Sequence, residues 1–293
     1  MKKVAAVWVL LSLIWGSTWI FIKVGLRDLP PITFAGIRFL IAGGVLLAIV
    51  SWQKLTIPRD RRQLGWLVGT GLISITVNYG LVFWGETRIP SGLAAVLQAM
   101  IPVFGLLIAP YFLPAEGLTR QRLAGVLVGF TGVAVIFYEQ TGIDGWGAAQ
   151  GSLALLLSSL CTALGNVLVK SKLQHLDPTI IAAGQMVFGF PPLLLFGWWL
   201  EGSPVQLQWT STAILSLLYL ALIGSALAFM LYYWLVTRIE VTTTMMISLV
   251  IPVIALLIGA VAVGERLTFS ILAGSLIIIA GISIILRSGR SRT

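Results

Sequence analysis

The sequence predicts an all-α integral membrane protein in which ten transmembrane helices form two inverted five-helix repeats around a central cavity. Three observations predict it. First, the 293 residues are 58% hydrophobic and only 10% charged, with mean hydropathy +1.00, whereas a soluble domain carries about 25% charged residues. Second, the chain reads twice. The segment from Lys23 through Pro31 to Thr33 has an echo from Lys170 through Pro178 to Ile180, an offset of 147 (170 − 23). Thr87-Arg88-Ile89 recurs as Thr237-Arg238-Ile239, and Ile101-Pro102-Val103 as Ile251-Pro252-Val253, both 150 apart. Third, Lys and Arg concentrate in alternate loops.

Ten apolar runs mark the spans, at about 4–26, 31–51, 63–84, 89–113, 119–138, 147–169, 178–200, 210–236, 240–263 and 268–287. The first is too long for the apolar core of a signal peptide and lacks its cleavage pattern. It rises about 35 Å at 1.5 Å per residue, enough to cross a bilayer. Each later run is set off by a short linker of charges, prolines and glycines, such as Arg27-Asp28-Leu29-Pro30-Pro31. The stretch from Glu139 to Gly147 contains Gly142, Gly145 and Gly147 and no Lys or Arg. It divides a first repeat, 1–140, from a second, 147–293.

Ten spans put both termini on one side. With the termini inside, the inner face holds Lys2, Lys3, Lys54, Arg59, Arg61, Arg62, Arg120, Arg122, Lys170, Lys172, Arg238, Arg287, Arg290 and Arg292. The outer face holds Arg27, Arg88 and Arg266. This asymmetry predicts cytoplasmic N- and C-termini in a multi-pass protein of the cell's inner membrane. Five spans per copy then invert the second copy. The net charge of +9 is explained by these loops and does not call for nucleic acid. Lone Cys161 reads as a small buried hydrophobe, and no metal or other cofactor is expected.

Inverted repeats are a recurrent architecture of secondary transporters, with the substrate site near the midplane between them. The motifs resemble the drug/metabolite transporter superfamily, specifically its EamA-type members with two copies of a five-helix unit. The resemblance rests on Trp15-Gly16-Ser17-Thr18-Trp19 with Lys23, on Arg38-Phe39, and on Pro102 followed by Glu116, Thr119, Gly125 and Gly132. In the second half it rests on Pro252, Gly264-Glu265-Arg266-Leu267-Thr268, Gly274 and Gly281. It covers essentially the whole chain. It implies a ten-helix basket around a cavity and the export or exchange of small metabolites, amino acids among them. The second half departs from the pattern at Thr162-Ala163, opposite Trp15-Gly16.

Polar groups inside a bilayer are costly and mark packing or a pathway. Trp15, Trp19 and Lys23 share one face of the first helix. The tryptophans can line the cavity or pack. Lys23 can attract a carboxylate there or snorkel to the interface. Arg38, about 10 Å into the second helix, needs a partner, a backbone carbonyl or water at that depth; it reads as a structural charge, with substrate contact as the alternative. Asn78 and Tyr79 in the third span are matched by Ala228 and Phe229 in the eighth, which also carries Ser225 and Tyr232. Gln98 precedes Pro102, and Met245 and Ser248 precede Pro252. Each proline deprives the carbonyl four residues earlier of its donor, so both predict a kink that can gate. Asn166 occupies the repeat position of Trp19. Trp15, Trp19, Lys23, Asn78, Tyr79, Gln98, Asn166, Ser225, Phe229, Tyr232, Met245 and Ser248 form the expected substrate-binding set.

No Asp or Glu is expected deep in a span; Glu86 stands nearest, at a predicted helix end. Transport without an obligatory proton is therefore expected, with a proton-coupled drug or lipophilic-cation exporter as the alternative. An enzyme is not expected, because intramembrane hydrolysis needs paired aspartates or a histidine-rich ligand set, and His175 lies in a predicted loop. The expected partners are a small-molecule substrate and the lipid bilayer. No sequence feature sets an oligomeric state, and a monomer is compatible with all of them.

Overall fold

The computed structural model describes residues 2–113, 120–139, 145–236, 247–263 and 268–290. Among these the chain is helical throughout, without a strand. The helices are α1 (Lys2–Gly25), α2 (Pro31–Trp52), α3 (Arg61–Glu86), α4 (Ser91–Phe112), α5 (Arg120–Glu139), α6 (Trp146–Leu173), α7 (Pro178–Glu201), α8 (Ser211–Leu235), α9 (Ile247–Val263) and α10 (Phe269–Arg290). Seven of them, α1–α4 and α6–α8, are long and apolar enough to cross a membrane. Shorter apolar stretches, Leu123–Val135, Val250–Ala262 and Phe269–Gly281, lie in α5, α9 and α10.

The helix boundaries follow from local chemistry. Pro31 and Pro178 sit in the first turns of α2 and α7, where their missing N–H is no loss. Asp177 caps α7 by accepting from Thr179 N at 2.7 Å. The N-terminus of α2 is capped from a distance: Ile32 N and Thr33 N donate to the two carboxylate oxygens of Glu201, at 2.9 and 2.8 Å. A carboxylate from the end of α7 thus meets the positive end of the α2 dipole.

Three helices are locally unwound. Leu72–Val77 in α3 and Tyr219–Leu227 in α8 are π-helical, as is the last turn of α6, Val169–Leu173. The segments in α3 and α8 lie in repeat-matched helices. Helix α4 breaks at Ala99–Met100, just before Pro102, and restarts at Ile101. Helix α9 runs through Pro252 without interruption, so the two matched prolines do not bend their helices alike.

Helix α2 packs along α7, and α5 along α10. Helix α1 contacts α8 and α9, while α6 contacts α3 and α4. The α5–α10 contact is backbone to backbone. A Cβ on Gly132 would stand 2.6 Å from the Gly274 carbonyl oxygen, and one on Gly281 would stand 2.6 Å from both Gly125 O and Gly129 N. The glycines of these helices thus serve close packing, as their spacing predicts.

Candidate functional site

A cavity of about 530 Å³ lies among the helices. Helix α1 contributes Trp15, Thr18, Trp19 and Ile22, one face of consecutive turns. Helix α3 supplies Ser74, Asn78, Tyr79 and Val82 just beyond and within its π segment, α6 supplies Thr162, Asn166, Val169 and Lys170, and α8 supplies Phe229, Tyr232 and Tyr233. Arg38 of α2, Gln98 and Pro102 of α4, Gln185 of α7, and Ile247 and Ile251 of α9 complete much of the wall. Among the described residues, α5 and α10 contribute nothing to it.

The two ends of the cavity differ. At one end the lining reaches Gln174, which is exposed. The other ends at Ile22 and Val82, both buried. Beyond them the ammonium of Lys23 donates to the carbonyls of Glu86 and Ile89, at 2.8 Å each. These carbonyls lie at and just after the C-terminus of α3, where a helix dipole favours a cation. Lys23 is therefore absent from the wall and ties α1 to the α3–α4 turn. Of the two placements read from the sequence, the one on the wall is not seen; the carbonyl partners were not foreseen, because a turn carbonyl carries no side-chain signature.

Arg38 is 1% exposed. Its Nε donates to Ser225 Oγ at 2.7 Å, and one terminal nitrogen, Nη2, makes a long contact of 3.4 Å with Gly224 O. The guanidinium also faces the rings of Phe39, Tyr79 and Phe83, at 5.1, 5.0 and 5.7 Å from their centroids. Its Nη1 has no hydrogen-bond partner. Ser225 is fully buried and holds Arg38 from behind the wall. Glu86 is 0% exposed. It stands at the end of α3, as expected from the sequence, and packing buries it there.

Polar groups elsewhere in the wall are incompletely paired. Asn78 donates through Nδ2 to Ser74 O at 3.0 Å, while its Oδ1 has no partner. Gln185 accepts from the Tyr233 hydroxyl at 2.9 Å, while its Nε2 has none. Gln98 donates to Ser158 Oγ. Trp15 packs against Tyr232 and Phe229, with centroids 5.2 and 6.0 Å apart, joining α1 to α8.

Of the sequence-predicted set, Trp15, Trp19, Asn78, Tyr79, Gln98, Asn166, Phe229 and Tyr232 are together on the wall, with Pro102 and Arg38. Pro252 is buried and lies off it. Met245 falls outside the described residues, and Ser248 is described only as part of the α9 backbone. Sequence reasoning missed Gln185, Tyr233 and Lys170. The signal was available: Gln185 and Lys170 stand 147 residues after Arg38 and Lys23.

The profile of the EamA-like transporter family matches residues 3–138 and again 149–287. An uncharacterized transporter of Bacillus subtilis, YoaV, is 31% identical over 96% of each chain. A probable amino-acid metabolite efflux pump of Salmonella typhimurium is 32% identical, over 94% of this chain and 92% of that one. A crystal structure with 18% sequence identity superposes with a TM-score of 0.72 over 99% of both chains, which shows a shared fold.

Proposed function

The chain belongs to the EamA-like transporter family, and from that premise we propose that it exports or exchanges small metabolites by alternating access. Its substrates are amino acids with hydrophobic or aromatic side chains, or related zwitterions, and it needs no obligatory proton. The observation that carries this reading is the cavity itself: aromatic-walled, open at one end and tied shut at the other.

The scaffold we propose is ten spans in two inverted repeats, 1–140 and 147–293. The contacts support it. The pair α1–α9 exchanges with α6–α4 when each helix is replaced by its repeat mate, and α3–α6 exchanges with α8–α1. The pairs α2–α7 and α5–α10 exchange with themselves. Wall residues also match in pairs, such as Trp15 with Thr162, Trp19 with Asn166 and Ile101 with Ile251. With both termini cytoplasmic, as the loop charges indicate, the mouth at Gln174 faces the cytoplasm and the Lys23 tie closes the outer end. A solute leaving the cell would enter there. The relative named as a probable amino-acid metabolite efflux pump supports amino acids as the class.

Buried Glu86 favours a second reading, a proton-coupled exporter of drugs or lipophilic cations. It lies beyond the closed end rather than on the wall, so the uncoupled reading is preferred. Flux of L-phenylalanine and L-leucine in proteoliposomes, at several imposed pH gradients, separates them. Saturable flux accelerated by substrate on the far side and indifferent to the gradient is expected. Strict proton accompaniment would favour the second reading, and flux that never saturates would indicate a pore.

A further inference from the structure

Two cations line the cavity: Lys170 near the mouth, and Arg38 about two turns into α2. As a brace between α2 and α8, Arg38 needs only Nε on Ser225 and the long Nη2 contact with Gly224 O. That leaves a charged donor, Nη1, buried and unpaired, which is costly unless something else completes it. Two wall residues also carry incomplete groups, the donor Gln185 Nε2 and the acceptor Asn78 Oδ1, which like Nη1 are covered in this state and reach a solute only when neighbouring side chains shift. A charged donor, a neutral donor and a neutral acceptor amid aromatic rings complement a carboxylate, an ammonium and an apolar body.

Resting on the carrier reading above, we propose that Arg38 is the specificity-determining residue, binding the substrate carboxylate through Nη1, with Ser225 as the positioning residue that fixes Nε. Asn78 Oδ1 accepts from the substrate ammonium, and Gln185 Nε2 supplies a second donor from the opposite half. The guanidinium is a strong carboxylate partner because its donors form a planar fork. Held at Nε and stacked among Phe39, Tyr79 and Phe83, it is oriented before the substrate arrives. A brace without this role would hold the helices together and leave the choice of solute unchanged.

The test is a preference ratio measured by calorimetric binding to the purified full-length protein. The probes are L-phenylalanine against phenethylamine and L-leucine against isoamylamine, each pair sharing an apolar body and differing in the carboxylate. The wild type is expected to bind the acids at least about tenfold more tightly, the scale of a charge-assisted hydrogen bond. Arg38→Met should bring that ratio to about one. If Arg38→Met does not yield a monodisperse protein, Ser225→Ala decides: it keeps the cation and frees Nε, and should lower the ratio about threefold or more. An unchanged ratio in the variant overturns the assignment, as does a wild type that binds acids and amines alike, and the carrier reading survives either result. Failure of all four probes to bind and to move in proteoliposomes removes the carrier reading for this class, and the assignment with it.

Discussion

Arg38 and Gln185 occupy matched positions in the two halves, and their neighbours match too. Arg38 faces the Phe83 ring at 5.7 Å, while Gln185 accepts from the hydroxyl of Tyr233, the mate of Phe83, at 2.9 Å. The geometry is duplicated and the chemistry is not. One wall presents a cation against rings, the other a neutral amide against a phenol. The ends of the cavity repeat the lesson. Lys23 is bound to two carbonyls beyond the closed end, and its mate Lys170 lies on the wall near the open one. In the proposed scheme the two halves interchange, unequal side chains select the solute, and one lysine tie at a time selects the opening.

The largest effect is expected of Lys23→Met. It removes two hydrogen bonds from an ammonium, together worth about 3 kcal/mol, and so should shift the balance of openings roughly a hundredfold toward the outer side. Spin labels on Arg27→Cys and Arg88→Cys, both exposed positions, should move apart in pulsed electron resonance. An unchanged distance distribution would show that Lys23 does not hold that end.

Gly281→Val should come next. Its side chain would enter backbone at Gly125 and Gly129, costing about 2 kcal/mol of stability. Because α5 and α10 contribute nothing to the described wall, the acid-over-amine ratio should stay at its wild-type value while thermal stability falls. A changed ratio would mean that the scaffold pair also shapes the site.

Lys170→Met should act with the opposite sign. By the repeat relation, Lys170 would tie the carbonyls following α8 in the alternate state, so its loss should favour the opening already seen, by about tenfold or less. The same spin-label pair reads it, and a shift in the direction of Lys23→Met would contradict the repeat symmetry. Smallest is Tyr233→Phe, which makes the second wall resemble Phe83 in the first. It should cost about 1 kcal/mol in a thermal denaturation series and, by freeing Gln185, lower the preference for acids by less than Ser225→Ala does.

Much of this was legible in the sequence because helix periodicity is. Trp15, Trp19, Asn78 and Tyr79 fall on faces that spacing alone defines, and the 147-residue offset maps one wall onto the other. Gln185 was overlooked although Arg38 pointed to it through that same offset. The partners of Lys23 were not legible, since any residue supplies a carbonyl and only the meeting of α1 with the α3–α4 turn selects Glu86 and Ile89. The π segments before Asn78 and through Ser225 were hidden for a similar reason. They reflect how α3 and α8 pack, and residues such as Leu72 or Tyr219 carry no intrinsic signal for them. Burial of Glu86 likewise depends on how deeply the end of α3 sits among its neighbours.

In the proposed carrier the cavity communicates with the cytoplasm and is shut from outside by Lys23. Thr18 lies on its wall, so Thr18→Cys in a Cys161→Ser background reports access directly, using an impermeant maleimide applied to either face of oriented membrane vesicles. In the absence of solute, reaction from the cytoplasmic face and protection from the outer face are predicted. Reaction confined to the outer face, with Lys23 in place, would contradict it.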